Sequence, residues 1–268
     1  MIKNYLLSLG LSALLLPWTA VVQALDAAEQ RGLEIAREAD RRDQGWGDSS
    51  TSMEMILRSK EGETASRALT VKVKEGQPAV EEGDRSLIVF NSPKDQKGTA
   101  LLTYSYRTRS DEQWLYLPAL KRVKKIASDN KSGPFVGSEF AFEDFSDQEV
   151  EKYRYRYLRD EPFNGIDCFV MERYPLDSNS GYSRELVWID QAHYRIHKVD
   201  YYDRKQTLLK TLSVSGYQQY NGKYWRADLS EMVNHQNGRS TSLKAADYRF
   251  SQGLSDDEFS QNSLQRAR

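Results

Sequence analysis

The chain has 268 residues, with 38 Lys plus Arg against 39 Asp plus Glu and a formal net charge of −1. That balance excludes the basic excess of a wholesale nucleic-acid binder, and 39% hydrophobic with 29% charged residues excludes a multi-span membrane protein. One cysteine excludes a disulfide framework, a thiolate zinc site and an iron–sulfur cluster within the chain.

Met1-Ile-Lys3 is a short positive start, Leu6 to Leu16 is apolar but for Ser and Gly, and Val22-Gln-Ala24 has the small-residue pattern of a cleavage site. Residues 1–24 therefore read as a cleaved secretory signal, with the mature chain, 25–268, expected to form one domain. The rival reading is an uncleaved anchor, because Tyr5 to Val22 carries no charge and just reaches spanning length. No cysteine stands near the junction to take acyl chains, so the protein is expected to be exported and soluble. Asp26 to Arg42 predicts a capped helix with Leu33, Ala36 and Ala39 on one face.

From Met53 onward the period becomes two. Met53, Met55 and Leu57 alternate with polar residues, as do Leu69, Val71 and Val73. Further β-rich runs occupy 86–90, 100–107 and 113–117. Tyr153-Arg-Tyr-Arg-Tyr157 alternates strictly, with tyrosines on one face and arginines on the other. More strands are expected near 168–174, 184–189, 194–202, 207–217, 224–235 and 241–250, with turns at Asn164-Gly165, Ser180-Gly181 and Asn221-Gly222. Residues 128–149 read as a long loop with a short helix over the sheet, and 255–259 as a capped final turn or two. Such a run of strands and short turns predicts an antiparallel meander.

Catalytic signatures are missing. No Gly-x-Ser-x-Gly elbow occurs, and Gly216 to Lys223 fails the phosphate-loop spacing. His193 and His197 lie in a strand pattern, where four residues span about 13 Å, too far to share a metal easily. Glu143-Asp144 and Asp256-Asp257-Glu258 read as loop solubility or helix capping. The basic run Lys121 to Lys125 reads either as a solvated strand face or as a contact for anionic lipid or a partner. Cys168 reads as a buried unpaired thiol.

The strings Gln113-Trp-Leu-Tyr-Leu-Pro-Ala-Leu-Lys-Arg-Val-Lys-Lys-Ile126, Gly137-Ser-Glu-Phe140, Gly181-Tyr-Ser-Arg184, Lys198-Val-Asp-Tyr-Tyr-Asp-Arg-Lys205 and Met232-Val-Asn-His-Gln236 closely resemble the LolA-like outer-membrane lipoprotein-sorting proteins. The resemblance covers nearly the whole mature chain. It implies a mainly β fold, an incomplete antiparallel barrel of about eleven strands with covering helices. It also implies a periplasmic, non-enzymatic carrier that shelters acyl chains of lipids or lipoproteins, without cofactor or metal. Transient membrane contact goes with that role, and an RND-type exporter is the partner implied for this branch.

An acyl chain needs an apolar inner face, since burying each CH₂ is worth about 0.8 kcal/mol. Alternation selects Leu102, Tyr104 and Tyr106, Leu115 and Leu117, and Tyr153, Tyr155 and Tyr157 as candidate cavity positions. Leu186, Trp188, Leu212, Val214, Trp225 and Leu229 join them. Plain core packing is the competing reading for each. Phe140, Phe142 and Phe145 are read as a lid or as static packing. A sensor or accessory protein working with an exporter is the second functional expectation, and an enzyme the third.

Overall fold

The computed structural model describes residues 25–77 and 80–266, so the expected leader lies outside the described residues. Helix α1 spans Ala27–Arg42 and starts at a capping box: the Glu29 amide donates to the Asp26 carboxylate at 2.8 Å, and the Asp26 amide to Glu29 at 3.2 Å. Its buried residues are Gly32, Ile35 and Ala36, a stripe rotated from the expected Leu33, Ala36 and Ala39. Gly32 sets that rotation. A Cβ on it would stand 2.9 Å from the backbone nitrogens of Arg156 and Tyr157, so only glycine lets helix and strand meet there.

The strands are β1 (Asp48–Arg58), β2 (Thr64–Lys74), β3 (Glu82–Phe90), β4 (Ala100–Tyr106), β5 (Glu112–Leu117), β6 (Arg122–Ile126) and β7 (Tyr153–Phe163). They continue with β8 (Ile166–Pro175), β9 (Tyr182–Asp190), β10 (Ile196–Asp203), β11 (Leu208–Tyr220), β12 (Tyr224–Asn234) and β13 (Ser240–Phe250). All thirteen pair antiparallel in one sheet, ordered β6-β5-β4-β3-β2-β1-β13-β12-β11-β10-β9-β8-β7. The order is two meanders joined where β1 pairs with β13, leaving β6 and β7 as free edges of an incomplete barrel. About eleven strands were expected; the additions include β6, the basic run, which pairs with β5. Asn164 and Gly165 both take positive φ in the two-residue turn between β7 and β8, which is why those residue types stand there.

Residues 127–152 cross from edge β6 to edge β7 on the inner face of the sheet, and we call them the plug. They form short 3₁₀ turns at Ser128–Asn130, Phe135–Gly137, Phe142–Phe145 and Val150–Lys152. Phe135, fully buried, has its ring 5.7 Å from Phe90 of β3, 5.6 Å from Phe142 and 4.6 Å from Phe145. Together with Ile35 and Ala36 of α1 these rings fill the main core against Leu101, Leu115, Met171, Val187, Val199 and Met232.

The outer face is covered too. A 3₁₀ turn at Asp256–Phe259 and the short helix α2 (Gln261–Leu264) place Phe259 and Leu264 on Leu87, Ala100, Leu102 and Trp114. Lys74 pairs with Asp256 at 2.8 Å, and the Tyr104 hydroxyl donates to the Phe259 carbonyl. Farther along, Cys168, Val170 and Trp188 make a third buried cluster on β8 and β9.

Candidate functional site

A row of directly opposed residues crosses the inner face: Tyr155 on β7, Arg173 on β8, Glu185 on β9, Tyr201 on β10 and Lys210 on β11. None of them is more than 6% exposed. Charges that deep must be paired, and these are. Arg173 Nε donates to the Glu185 carboxylate. Lys210 Nζ donates to Asp144 Oδ2 at 2.6 Å and to the Glu139 carbonyl at 3.0 Å, while the Tyr182 hydroxyl donates to Asp144 Oδ1 at 2.7 Å. Glu143 next door accepts from Ser180 Oγ at 2.8 Å and from the Gly181 amide at 2.9 Å. Glu143-Asp144, expected to serve solubility or capping, therefore ties the plug to β9 and β11. Burial opposes the Arg173 charge, but Glu185 beside it holds the guanidinium above its usual pKa.

Two cavities flank the middle of the plug. The larger, about 730 Å³, lies between α1, the plug and the inner face. Ala36, Val150, Tyr155, Met171, Arg173 and Ile189 form its buried wall, and Trp46, Tyr194, Tyr217 and Trp225 bring aromatic rings. Arg195 sits between two of these, its guanidinium 4.9 Å from the Tyr217 ring centre and 4.4 Å from that of Trp225. The smaller cavity, about 410 Å³, is lined by Tyr153, Tyr182, Glu185, Glu143, Asp144 and Lys152 among others. Asp147 and Gln148 border both. Arg173 thus faces one cavity and its partner Glu185 the other. The larger wall is mixed, not purely apolar, for Asp84 and Asp147 also line it. Burial, reinforced by neighbouring carboxylates, pushes Asp84 up to about 8 and Glu149 up to about 7, and burial raises Asp147 as well.

The structure divides the residues expected to line a cavity. Tyr155 and Trp225 border the larger cavity and Tyr153 the smaller. Leu115 belongs to the inner core, with Leu117, Tyr157 and Leu212 packed against it. Leu102 and Tyr104 lie instead on the outer face, under the C-terminal turn, and Leu186 and Trp188 lie in the outer cluster around Cys168. On β4 and β9 the expected face is therefore the wrong one: Leu101 and Val187, one position away, point inward. Tyr106, in phase with Tyr104, donates to Glu112 at 2.9 Å beneath the Arg109 guanidinium. Val214 is half-buried outside the core clusters, and Leu229 borders an open groove beside Tyr220 and Lys244. Phe140, Phe142 and Phe145 all pack in the plug against the main core.

His193 lies against Trp225 with ring centres 4.8 Å apart and the rings tilted by 39°, whereas His197 is buried with Nε2 3.1 Å from Asp190. Residues that patterning did not select include Trp46, Met171, Arg173, Ile189, Tyr194 and Tyr217. For Arg173 a signal existed: it continues the phase of Phe169 and Met171, the inward residues of the run that begins at Cys168, and Glu185 answers it on the neighbouring strand.

A family model described only as "-like: Uncharacterized protein" matches residues 82–266. No curated protein matches the chain. Among solved structures, an outer membrane lipoprotein-sorting protein domain from Vibrio parahaemolyticus is 52% identical, covering 89% of this chain and 100% of that one at a TM-score of 0.86. A DUF1329 family protein from Desulfovibrio piger is 29% identical, with 88% of this chain and 99% of that one covered at a TM-score of 0.84. A LolA superfamily protein from Nitrosomonas europaea shares the fold at 19% identity, with 87% and 98% covered at a TM-score of 0.69.

Proposed function

The chain belongs to the outer membrane lipoprotein-sorting protein family, on the LolA-like fold, and from that membership we propose that it is a non-catalytic periplasmic carrier. In this reading it shelters acyl chains of lipids or lipoproteins in the half-barrel and passes them toward the outer membrane. The observation that carries the reading is the open-mouthed cavity of about 730 Å³ between α1, the plug and the inner face. Its size falls within the ~300–1,000 Å³ of ligand pockets, and the aromatic rings and Met171 on its otherwise mixed wall suit a chain that must slide in and out. In this reading the plug is the movable cover, held down by charged and polar ties at Asp144 and Glu143. Among the described residues no helix is long and apolar enough to cross a membrane.

Transient membrane contact is assigned to the tip between β5 and β6. Leu120 is 62% exposed there, beside exposed Lys121, Arg122 and Lys124. An apolar side chain flanked by cations suits an anionic lipid surface.

The test is mass spectrometry of lipid co-purifying from the periplasmic fraction, with titration of the delipidated protein by a fluorescent fatty-acid probe. A protein that carries no lipid and binds neither the probe nor a lipoprotein overturns the carrier reading, leaving the accessory role beside an exporter.

A further inference from the structure

Among the described residues two buried side-chain polar atoms lack a hydrogen-bond partner, Ser86 Oγ and Arg173 Nη2, and of the two residues only Arg173 lines the larger cavity. The residue is 5% exposed. Its Nε is committed to Glu185, and its guanidinium carbon stands 5.0 Å from the centre of the Tyr153 ring. A buried donor without an acceptor is a standing cost, so such an atom beside a cavity points to an acceptor that arrives with the occupant.

Charge decides which acceptor. The row across the inner face is balanced: Arg173 against Glu185, and Lys210 against Asp144. An anion brought to Arg173 would compete with Glu185, which already compensates the guanidinium charge in this buried site. An uncharged carbonyl oxygen adds no charge, and the unpartnered Nη2 amino group can donate to it.

We propose that Arg173 is a subsite for the uncharged carbonyl oxygen of an acyl ester or amide, so that the cargo's linkage, and not only its hydrocarbon, is held inside the larger cavity. The proposal rests on the carrier reading and adds where the acyl linkage sits. Apolar Ile189 and Met171 on the same wall would then meet the first methylenes of the chain.

The test compares two probes of equal length, a pyrene-labelled hexadecanoic methyl ester and the matching pyrene-labelled hydrocarbon without the ester. Wild type is expected to prefer the ester about tenfold, as one hydrogen bond to a charged donor supplies. The ¹³C-labelled ester carbonyl should shift to lower infrared frequency on binding. Replacing both members of the ion pair (Arg173→Met with Glu185→Met) leaves neither charge orphaned, and in that variant the preference should fall to about one with no carbonyl shift. Equal affinity of wild type for both probes, with an unmoved carbonyl band, overturns the inference while leaving the carrier reading intact, and needs no variant to fold. A double variant that keeps both the preference and the shift overturns it as well. Failure of wild type to bind either probe overturns the carrier reading itself.

Discussion

Lys210 of β11 and Asp144 of the plug form an ion pair at 2.6 Å with side chains only 4% and 5% exposed. Sixty-six residues apart in sequence, they tie the inner wall to the cover lying on it. Replacing Lys210 with Met leaves the Asp144 carboxylate buried without its cation, which should cost ~3–5 kcal/mol of stability. Urea titration measures that loss, and hydrogen exchange should show it as faster exchange at residues 135–145. A Lys210→Met protein with wild-type exchange in the plug would mean the pair does not hold the cover.

Leu102 and Leu115 are expected to separate. Leu102, fully buried, packs under Phe259 and Leu264, so Leu102→Glu should release the C-terminal turn and expose it to proteolysis. Leu115 packs in the inner core, so Leu115→Glu should disturb plug and cavity, reducing binding of an acyl probe. Limited proteolysis and probe titration of the two variants distinguish the faces; identical behaviour in both assays would contradict the assignment.

Asp84 gives the protein a pH dependence of definite sign. Folding raises its pKa from 3.8 to about 8, chiefly by burial and then by Asp147. The folded chain therefore binds a proton that the unfolded chain has released, and its contribution to stability is full below about pH 4 and lost as pH rises through 8. Asp84→Asn, which keeps an acceptor for the Gly76 amide, should remove that loss. Relative to wild type the variant should gain ~1–3 kcal/mol between pH 5 and pH 8.5, discounted from the full shift because the residue is only half-buried and borders an open cavity. Thermal unfolding at the two pH values reads the difference, and a constant offset between the proteins would refute it.

Cys168 is fully buried beside Val170 and Trp188, and burial pushes its thiol up to about 11. At pH 7.5 the native protein should react with a thiol reagent only at the rate of its unfolding. Cys168→Ser should keep the fold, with a loss of ~1–3 kcal/mol if its hydroxyl goes unpaired. Rapid labelling of the folded protein would show the outer cluster to be open.

The sequence was most legible where one face of a strand is charged. On β7 the arginines at 154 and 156 are exposed, so the alternating tyrosines had one inward assignment. On β4 and β9 both faces are buried, one by the plug and the inner core, the other by the C-terminal turn or the Cys168 cluster. Leu101 and Leu102 are then equally apolar, and a period of two identifies the alternation without saying which phase faces inward. The capped first helix and the Asn164-Gly165 turn were readable because their signals are local. The row from Tyr155 to Lys210 was not, since it exists only once five strands are in register.

The junction of β1 with β13 has a further meaning for how the molecule is assembled. Ser49 lies opposite Phe250, and Arg58 opposite Ser240, so the seam in the middle of the sheet unites opposite ends of the folded chain. The β1–β6 meander can zip locally as the chain emerges, and so can the β7–β12 meander, but neither can join the other through this seam before β13 arrives. Until then β1 presents an unpaired strand edge to its surroundings, the kind of edge that recruits other chains. The slowest and most aggregation-exposed moment of maturation should thus fall at the seam, the most distant pairing in the sheet, where closure brings together residues some two hundred positions apart.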